Sequence, residues 1–453
     1  MQMIKTKIQT MLKSNSQRTG LIKKNILASF FIKGWLIVVQ LLMVPLTLHC
    51  LGVYENGIWL TISSMLVWID NMDVGLGNGL RNKLAEYVAK NDYENARRAV
   101  SSTLFMLVVF IVPVSIAINL WIWNADTYSF FNVDAHVVDN LNKILSCSAV
   151  FVCSTFIFKF IGNFYMGLQM PAINNLLGCL GQTLALVGTF VVYLTGTHSL
   201  FYIALANTIA PLVVYFVSYP ITFRKRYPQL APSLRYVDVK SALLLFRMGL
   251  KFFVLQISGV VLFMTTNILI SKYYTPEMVT PYQIAYRYFS VVQLLFFIIC
   301  VPYWSATTDA YNKKDFTWIK ASGRSLDHII IGIMLVAVLM IIVSKFVYRI
   351  WIGDASIVSI EMTIMVAVYV MILTLSMRYS YILNGFGTLK LQLITTVAAA
   401  VCYIPLAVFF CKDSNNVLYL LAVMSVVNLP GLIINAVQYR KIIKGTAKGI
   451  WLE

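Results

Sequence analysis

The feature that most constrains this chain is a succession of long apolar runs, each about as long as a bilayer is thick. A spanning α-helix needs about 20 mostly apolar residues, and such runs follow one another from residue 25 almost to the end of the sequence. Because 59% of the residues are hydrophobic and only 12% are charged, the chain lacks the polar residues that would cover a soluble core. The runs are continuous rather than alternating, which excludes a β-barrel. The sequence therefore predicts an all-α polytopic membrane protein.

We predict about twelve transmembrane helices in two six-helix lobes around a central cavity. Their ranges, in chain order, are 25–50, 57–80, 99–123, 141–167, 172–196, 199–222, 248–272, 280–305, 326–351, 359–384, 388–412 and 416–440. The predicted domains are a basic N-terminal segment (1–24), an N-lobe (25–222), a cytoplasmic linker (223–247), a C-lobe (248–440) and a cytoplasmic tail (441–453).

The distribution of Lys and Arg predicts the orientation. With the N-terminus inside, the predicted cytoplasmic segments hold 26 of the 36 basic residues, whereas the opposite side holds Lys143, Lys272 and Lys412. This is the positive-inside bias of membrane proteins. It accounts for the net charge of +18 without nucleic acid, and it places both termini in the cytoplasm. The seven cysteines lie mostly in apolar runs and are interpreted as small hydrophobic residues, with a Cys50–Cys411 disulfide as the alternative.

The chain contains a weak internal repeat. With a shift of 223 residues, the segment 90–93 (Lys-Asn-Asp-Tyr) falls on 313–316 (Lys-Lys-Asp-Phe), and the polar break 51–57 falls on 274–280. Internal symmetry of this kind is typical of transporters built from two related halves.

Charged residues inside the predicted spans are the candidate functional residues, because intramembrane charges are costly and usually functional. Asp70 and Asp73 lie near the cytoplasmic end of the second span, before the glycines of 75–79. Lys33 on the first span and Lys159 on the fourth lie at the same predicted depth, about 10–15 Å from the inner boundary at 1.5 Å per residue. The C-lobe adds Arg287 and Arg378, with Arg378 and Lys251 at comparable or shallower depth. Lys345 and Arg349 lie close enough to the outer end of the ninth span to snorkel and are not candidates.

These charges predict a cationic cavity that opens to the cytoplasm. Lys33, Lys159, Arg287 and Arg378 are expected to bind an anionic group such as a pyrophosphate. The predicted spans offer Arg378 no acidic partner, which favours a ligand there. Asp70 or Asp73 is expected to bind a coupling ion, H⁺ or Na⁺, and no other cofactor or metal is predicted. The alternative is that one of the two carboxylates only neutralises Lys33.

The residues around the second span resemble a known family. The run 73–84 (Asp-Val-Gly-Leu-Gly-Asn-Gly-Leu-Arg-Asn-Lys-Leu), with 51–59 before it and Asn91-Asp92 after it, resembles the second-helix motif of bacterial polysaccharide flippases of the Wzx type. These belong to the superfamily of multidrug, oligosaccharidyl-lipid and polysaccharide exporters (MOP). The resemblance is strong over about residues 25–100 and extends weakly over the whole chain.

The resemblance implies a flippase that moves an undecaprenyl-pyrophosphate-linked oligosaccharide across the bacterial inner membrane by alternating access, for surface polysaccharides such as O-antigen. It implies a polyprenyl-pyrophosphate-linked glycan as substrate, and membrane lipids and polymerase or glycosyltransferase machinery as partners. Drug/cation antiporters share the superfamily, but their cavities tend to be acidic. A membrane glycosyltransferase or polymerase is a third class, disfavoured because no catalytic motif stands out.

Overall fold

The computed structural model describes residues 2–70, 76–168, 170–197, 199–238, 265–412 and 416–452. Over these ranges the chain is built from α-helices joined by short turns. The helices are α1 Gln2–Asp70, α2 Leu76–Ala89, α3 Tyr93–Asn124, α4 Thr127–Phe131, α5 Leu141–Gly167, α6 Pro171–Leu194, α7 Leu200–Pro220, α8 (described over 265–273), α9 Pro276–Asn312, α10 Phe316–Ile352, α11 Ile360–Phe386, α12 Lys390–Cys411 and α13 Leu418–Ile443. No strand occurs in the described ranges.

The described helices confirm a polytopic membrane protein. Ten of them are long and apolar enough to cross a membrane. One candidate, Phe31–Leu66, extends over 36 residues and contains a break at Gly52, whose φ of 69° is left-handed and favours glycine. The first two predicted spans meet at this break. The predicted span 248–272 lies mostly outside the described residues.

The outward face of α10 shows why these helices require lipid. Its side chains Leu335, Leu339, Ile342 and Phe346 are between 57% and 73% exposed, and they recur every three or four residues along one side. An exposed apolar stripe of this size on one helix face is unfavourable in water and suits hydrocarbon.

The first compact unit comprises Met1–Leu46, Met72–Ala125 and Asn142–Phe253. In it α2 packs on α3 and α6 packs on α7. Gly167, at the end of α5, lies where a β-carbon would contact Leu84 of α2. Tyr165 and Thr222 share a hydrogen bond of 3.0 Å between their hydroxyls. The C-terminal ends of α5 and α7 therefore meet, and α2 lies beside the end of α5.

The second compact unit comprises Thr47–Asn71, Asp126–Leu141 and Val254–Glu453. Its central helix, α11, packs against α9, α10 and α13. Two segments predicted for the N-lobe, 47–71 and 126–141, group with this unit because they bond to it. Thr280 Oγ1 donates to the Val53 carbonyl at 2.8 Å, and Ser271 Oγ donates to the Phe131 carbonyl at 2.6 Å. The predicted domain boundaries otherwise stay predictions.

The internal repeat is visible in the backbone. Asn91 and Lys314 both adopt φ of 57°, and each is followed by an aspartate that caps a helix. Asp92 accepts from the Asn95 backbone at 3.1 Å, and Asp315 accepts from the Trp318 backbone at 2.9 Å. α3 and α10 begin directly after these caps. The repeat predicted from the sequence is thus a repeated structure.

The two polar breaks contact each other in a reciprocal way. Thr280 bonds to the Val53 carbonyl, and a β-carbon on Gly57 would overlap the carbonyl oxygen of Pro276. With the shift of 223, Val53 corresponds to Pro276 and Gly57 to Thr280, so the two contacts are copies of one another. Asn56 adds a hydrogen bond to Thr280 at 3.2 Å. The segments 51–57 and 274–280 therefore form a pseudo-symmetric junction, here called the paired breaks.

All seven cysteines are free thiols, and five of them, including Cys50 and Cys411, are buried. The alternative of a Cys50–Cys411 disulfide is therefore wrong, and the interpretation as small hydrophobic residues is confirmed.

Candidate functional site

The predicted site residues fall on helices of both units. Lys33 on α1 and Lys159 on α5 belong to the first unit, and Arg287 on α9 belongs to the second; all three side chains are half-buried. α1 ends at Asp70, but the side chain of Asp70 and all of Asp73 lie outside the described residues. The expected proximity of the two carboxylates to Lys33 therefore stays a prediction.

Arg378 forms the best-defined polar cluster among the predicted site residues. Its Nε and Nη2 donate to the two carboxylate oxygens of Asp327 at 2.7 and 2.9 Å. Nη2 also donates to the Gly323 carbonyl at 3.2 Å. The guanidinium lies 4.3 Å from the ring centre of Tyr379 and 4.5 Å from that of Tyr439. A two-pronged ion pair between aromatic rings fixes a guanidinium more firmly than one contact would.

The expectation that Arg378 lacks an acidic partner in the membrane is wrong. Asp327 is the second residue of the predicted span 326–351. The hydropathy pattern therefore places it at the membrane boundary. In the structure α10 begins at Phe316, so Asp327 lies three turns inside the helix and within reach of α11. The Arg378 side chain is 4% exposed, whereas that of Asp327 is 48% exposed. The cluster joins α10, α11 and α13, and it gives Arg378 a structural role.

Lys159 occupies the position on α5 that Arg378 occupies on α11, although the shift between them is 219 residues and not the 223 of the internal repeat. Lys159 and Arg378 are each the nineteenth residue of their helix, counted from the first residues of α5 and α11. Asp327 is the twelfth residue of α10, and the twelfth residue of α3 is Leu104. The second half thus places a carboxylate where the first half has leucine. The halves share a scaffold and differ in the chemistry around their equivalent cations.

The sequence analysis missed a buried polar network in the second unit. Asn267 donates to Ser64 Oγ and to the Leu60 carbonyl at 3.2 Å, and Gln283 donates to its side-chain oxygen at 2.7 Å. Arg287 follows Gln283 by one turn on α9. Single Asn, Gln and Ser residues in apolar runs carry little signal, because which of them meet depends on the tertiary structure. The network shows that the part of α9 near Arg287 is polar.

Glu86, the acidic residue of α2, forms ion pairs with two neighbouring lysines. Hydrogen bonds from Lys83 and Lys90, at 2.8 and 2.7 Å, lower the pKa of Glu86 to about 2. Glu86 is therefore ionised at any physiological pH, and its charge offsets one of the two lysines, of which Lys83 lies on α2 and Lys90 directly after it.

No protein-family model matches the sequence. Over 371 residues the chain is 21% identical to a protein of Salmonella typhimurium (strain LT2) described as "Putative O-antigen transporter", covering 78% of this chain and 81% of that protein. An inward-facing conformation of a multidrug resistance MATE family transporter of the MOP superfamily matches with a TM-score of 0.74 at 16% identity, covering 90% of this chain and 95% of that one. The chain has the MATE fold.

A second solved structure with the MATE fold supports the same assignment. An outward-facing conformation of a multidrug resistance MATE family transporter of the MOP superfamily gives a TM-score of 0.62 at 17% identity, covering 94% of this chain and 96% of that one. The relative and these two solved structures are all described as transporters. The comparisons therefore show the fold of MATE transporters and a relative at 21% identity that is described as an O-antigen transporter.

Proposed function

We propose that this protein is a flippase that moves a polyprenyl-pyrophosphate-linked oligosaccharide across the bacterial inner membrane by alternating access, for surface polysaccharide biosynthesis. The observation that carries the proposal is that Lys33, Lys159 and Arg287 hold basic side chains inside membrane-spanning helices, where each is only half-buried. The relative described as an O-antigen transporter supports this choice of substrate. Both termini are proposed to be cytoplasmic, from the positive-inside bias.

The chemistry of the substrate suits these cations. A pyrophosphate carries several anionic oxygens that accept charge-assisted hydrogen bonds from ammonium and guanidinium groups. Lys33, Lys159 and Arg287 are proposed to hold it in turn, while the polyprenyl tail stays in lipid. Arg378, already bonded to Asp327, is proposed to keep the scaffold in place. Polysaccharide polymerase and glycosyltransferases are the proposed partners that supply and use the substrate.

Asp70 and Asp73 are proposed to carry the coupling ion, H⁺ or Na⁺. They are three residues apart and therefore share one helix face if the helix continues through them, so their titration would be coupled. A cation-coupled drug antiporter is the second candidate, favoured by the MATE neighbours. The two differ in what they bind, since a drug antiporter of this superfamily handles cationic compounds and a flippase handles an anionic lipid.

Lys159→Ala is expected to reduce flipping of a fluorescent polyprenyl-pyrophosphate glycan in proteoliposomes by about tenfold to a hundredfold. Loss of one charge-assisted hydrogen bond to phosphate costs about 1.5–3 kcal/mol, and 1.4 kcal/mol is a factor of ten. Lys159→Arg should be milder because it keeps the charge. Lys345→Ala, an exposed cation near the far end of α10, is the control. If Lys159→Ala flips the glycan lipid at the wild-type rate, at equal protein level, Lys159 is not part of the pathway. If the wild-type protein transports cationic drugs and no glycan lipid, the antiporter is favoured.

Asp70→Asn and Asp73→Asn are expected to separate ion coupling from charge neutralisation. If an Asp carries the ion, its Asn variant folds normally and loses flipping driven by an imposed H⁺ or Na⁺ gradient, and Lys33→Ala does not restore it. If the Asp only neutralises Lys33, each single variant is unstable and the double variant recovers. Recovery of gradient-driven flipping in the double variant would therefore contradict the coupling proposal.

A further inference from the structure

The segment that follows α7 is firmly packed against the first unit. It comprises a π-helical turn, Ile221–Arg226, and two 3-10 turns, Pro228–Leu230 and Leu234–Tyr236, and we refer to residues 221–236 as the basic turn. Phe223 is 3% exposed, and its ring lies 5.0 Å from that of Phe164 on α5. Leu230 is likewise buried. These apolar contacts hold one side of the basic turn against the first unit.

Hydrogen bonds from α3 hold the second half of the basic turn. Arg97 Nε donates to the Ala231 carbonyl at 2.8 Å, and its guanidinium lies 4.3 Å from the ring centre of Tyr236. One turn further along α3, Ser101 Oγ accepts from the Ser233 backbone at 3.1 Å. Residues 97–101 of α3 include the predicted membrane boundary at 99. The basic turn therefore lies at the level where lipid headgroups meet the protein.

The outward side of the basic turn combines a large apolar side chain with positive charge. Leu234 is 79% exposed, more than any other large apolar side chain in the described ranges. Arg224, Lys225, Arg226 and Arg235 are all exposed, and residues 221–236 contain no Asp or Glu. An exposed leucine on an ordered backbone, surrounded by arginines, is typical of interfacial membrane anchors. In such anchors the apolar side chain enters the acyl region and the cations contact lipid phosphates.

We propose that the basic turn is a docking surface for anionic phospholipid headgroups of the inner leaflet. The phosphate is bound by the Arg224–Arg226 run and by Arg235, and Leu234 inserts between acyl chains. The occupant is an anionic phospholipid because residues 221–236 carry four cations and no carboxylate, and because the turn directly follows α7, on which Phe216 and Val217 are 58% and 50% exposed. The proposal is independent of the transported substrate.

The test uses the full-length protein in nanodiscs that contain equal amounts of phosphatidylglycerol and phosphatidylcholine and no glycan lipid. Native mass spectrometry counts the lipids that remain bound after release. Each Lys or Arg near an anionic surface contributes about 1 kcal/mol, so Arg226→Gln/Arg235→Gln should lower the preference for phosphatidylglycerol by about thirtyfold. The matched control Lys320→Gln/Arg324→Gln removes two exposed cations from α10 and should leave the preference near that of the wild type.

A second measurement reports on Leu234 without removing charge. An environment-sensitive fluorophore on Leu234→Cys should be quenched by nitroxide lipids when phosphatidylglycerol is present and less so in pure phosphatidylcholine. Three results would each overturn the proposal. The double variant could keep the wild-type preference for phosphatidylglycerol, the control variant could lose as much of that preference as the double variant, or the fluorophore could stay in water at every lipid composition. If the double variant does not fold, the fluorophore measurement decides alone.

Discussion

Asp327→Leu is expected to destabilise the protein by about 3 kcal/mol. Removing one partner of a buried ion pair typically costs 3–5 kcal/mol, and we take the lower end because the Asp327 carboxylate is 48% exposed. The variant leaves the Arg378 guanidinium, only 4% exposed, without its bidentate partner, and the Gly323 carbonyl is then its remaining hydrogen-bond acceptor in the cluster. The free energy of unfolding in mixed micelles measures the effect.

Arg378 is more deeply buried than Asp327, so the single variants at these two positions should differ in their cost to the free energy of unfolding. Arg378→Met strands a carboxylate that water reaches, and it should cost about 1–2 kcal/mol, mainly from lost contact with Tyr379 and Tyr439. The double variant Asp327→Leu/Arg378→Met should be more stable than Asp327→Leu alone. Equal costs for the two single variants, or no recovery in the double variant, would contradict a buried-pair role.

A surface ion pair in the same chain provides the control. Arg98 and Glu94 on α3 approach to 2.6 Å, but both side chains are well exposed. Glu94→Leu should therefore cost no more than about 1 kcal/mol, as surface pairs usually do. A cost near that of Asp327→Leu would indicate that loss of a carboxylate destabilises this protein whatever its burial.

The helices were largely predictable, because hydropathy alone decides where a chain enters a bilayer. The predicted spans 141–167 and 359–384 differ from α5 and α11 by two residues at most. The helix ends outside the membrane were less predictable. α10 extends ten residues before its predicted span, and the charged residues of this part, Lys320 and Arg324, kept it out of the hydropathy pattern. Asp327 therefore lies well inside α10 and reaches Arg378 on α11, whereas the hydropathy pattern places it at the membrane boundary.

At the candidate site the sequence could predict which cations lie in apolar helices, but it could not predict how they pair. Lys159 and Arg378 stand out in apolar sequence because each charge is costly there. What surrounds them depends on residues from other helices, such as Tyr439 on α13, which no local pattern connects to Arg378. The network of Ser64, Asn267 and Gln283 has the same origin. The repeat was a stronger signal, since the pair Asp92 and Asp315 marks the same cap in both halves.

Gly57→Ala is expected to open the paired breaks. A β-carbon at Gly57 would overlap the Pro276 carbonyl oxygen, and a backbone atom cannot turn aside as a side chain can. Inserting a methyl group into a packed interior costs up to about 3 kcal/mol. We therefore expect the segments 51–57 and 274–280 to separate, with loss of the hydrogen bonds that Thr280 makes to Asn56 and to the Val53 carbonyl.

Thiol labelling at a buried neighbour measures this opening. Val279, next to Thr280, is fully buried. The thiol of Val279→Cys should therefore react slowly with a water-soluble maleimide in nanodiscs. The experiment uses a background in which Cys147 and Cys402 are replaced by Ser. Adding Gly57→Ala should raise the reaction rate by up to about a hundredfold, the equivalent of about 3 kcal/mol. Gly34→Ala is the matched control, because no atom lies within 4 Å of a β-carbon there, and it should leave the rate unchanged. Slow labelling with Gly57→Ala would show that the junction tolerates a side chain at this position, and the paired breaks would then not depend on glycine.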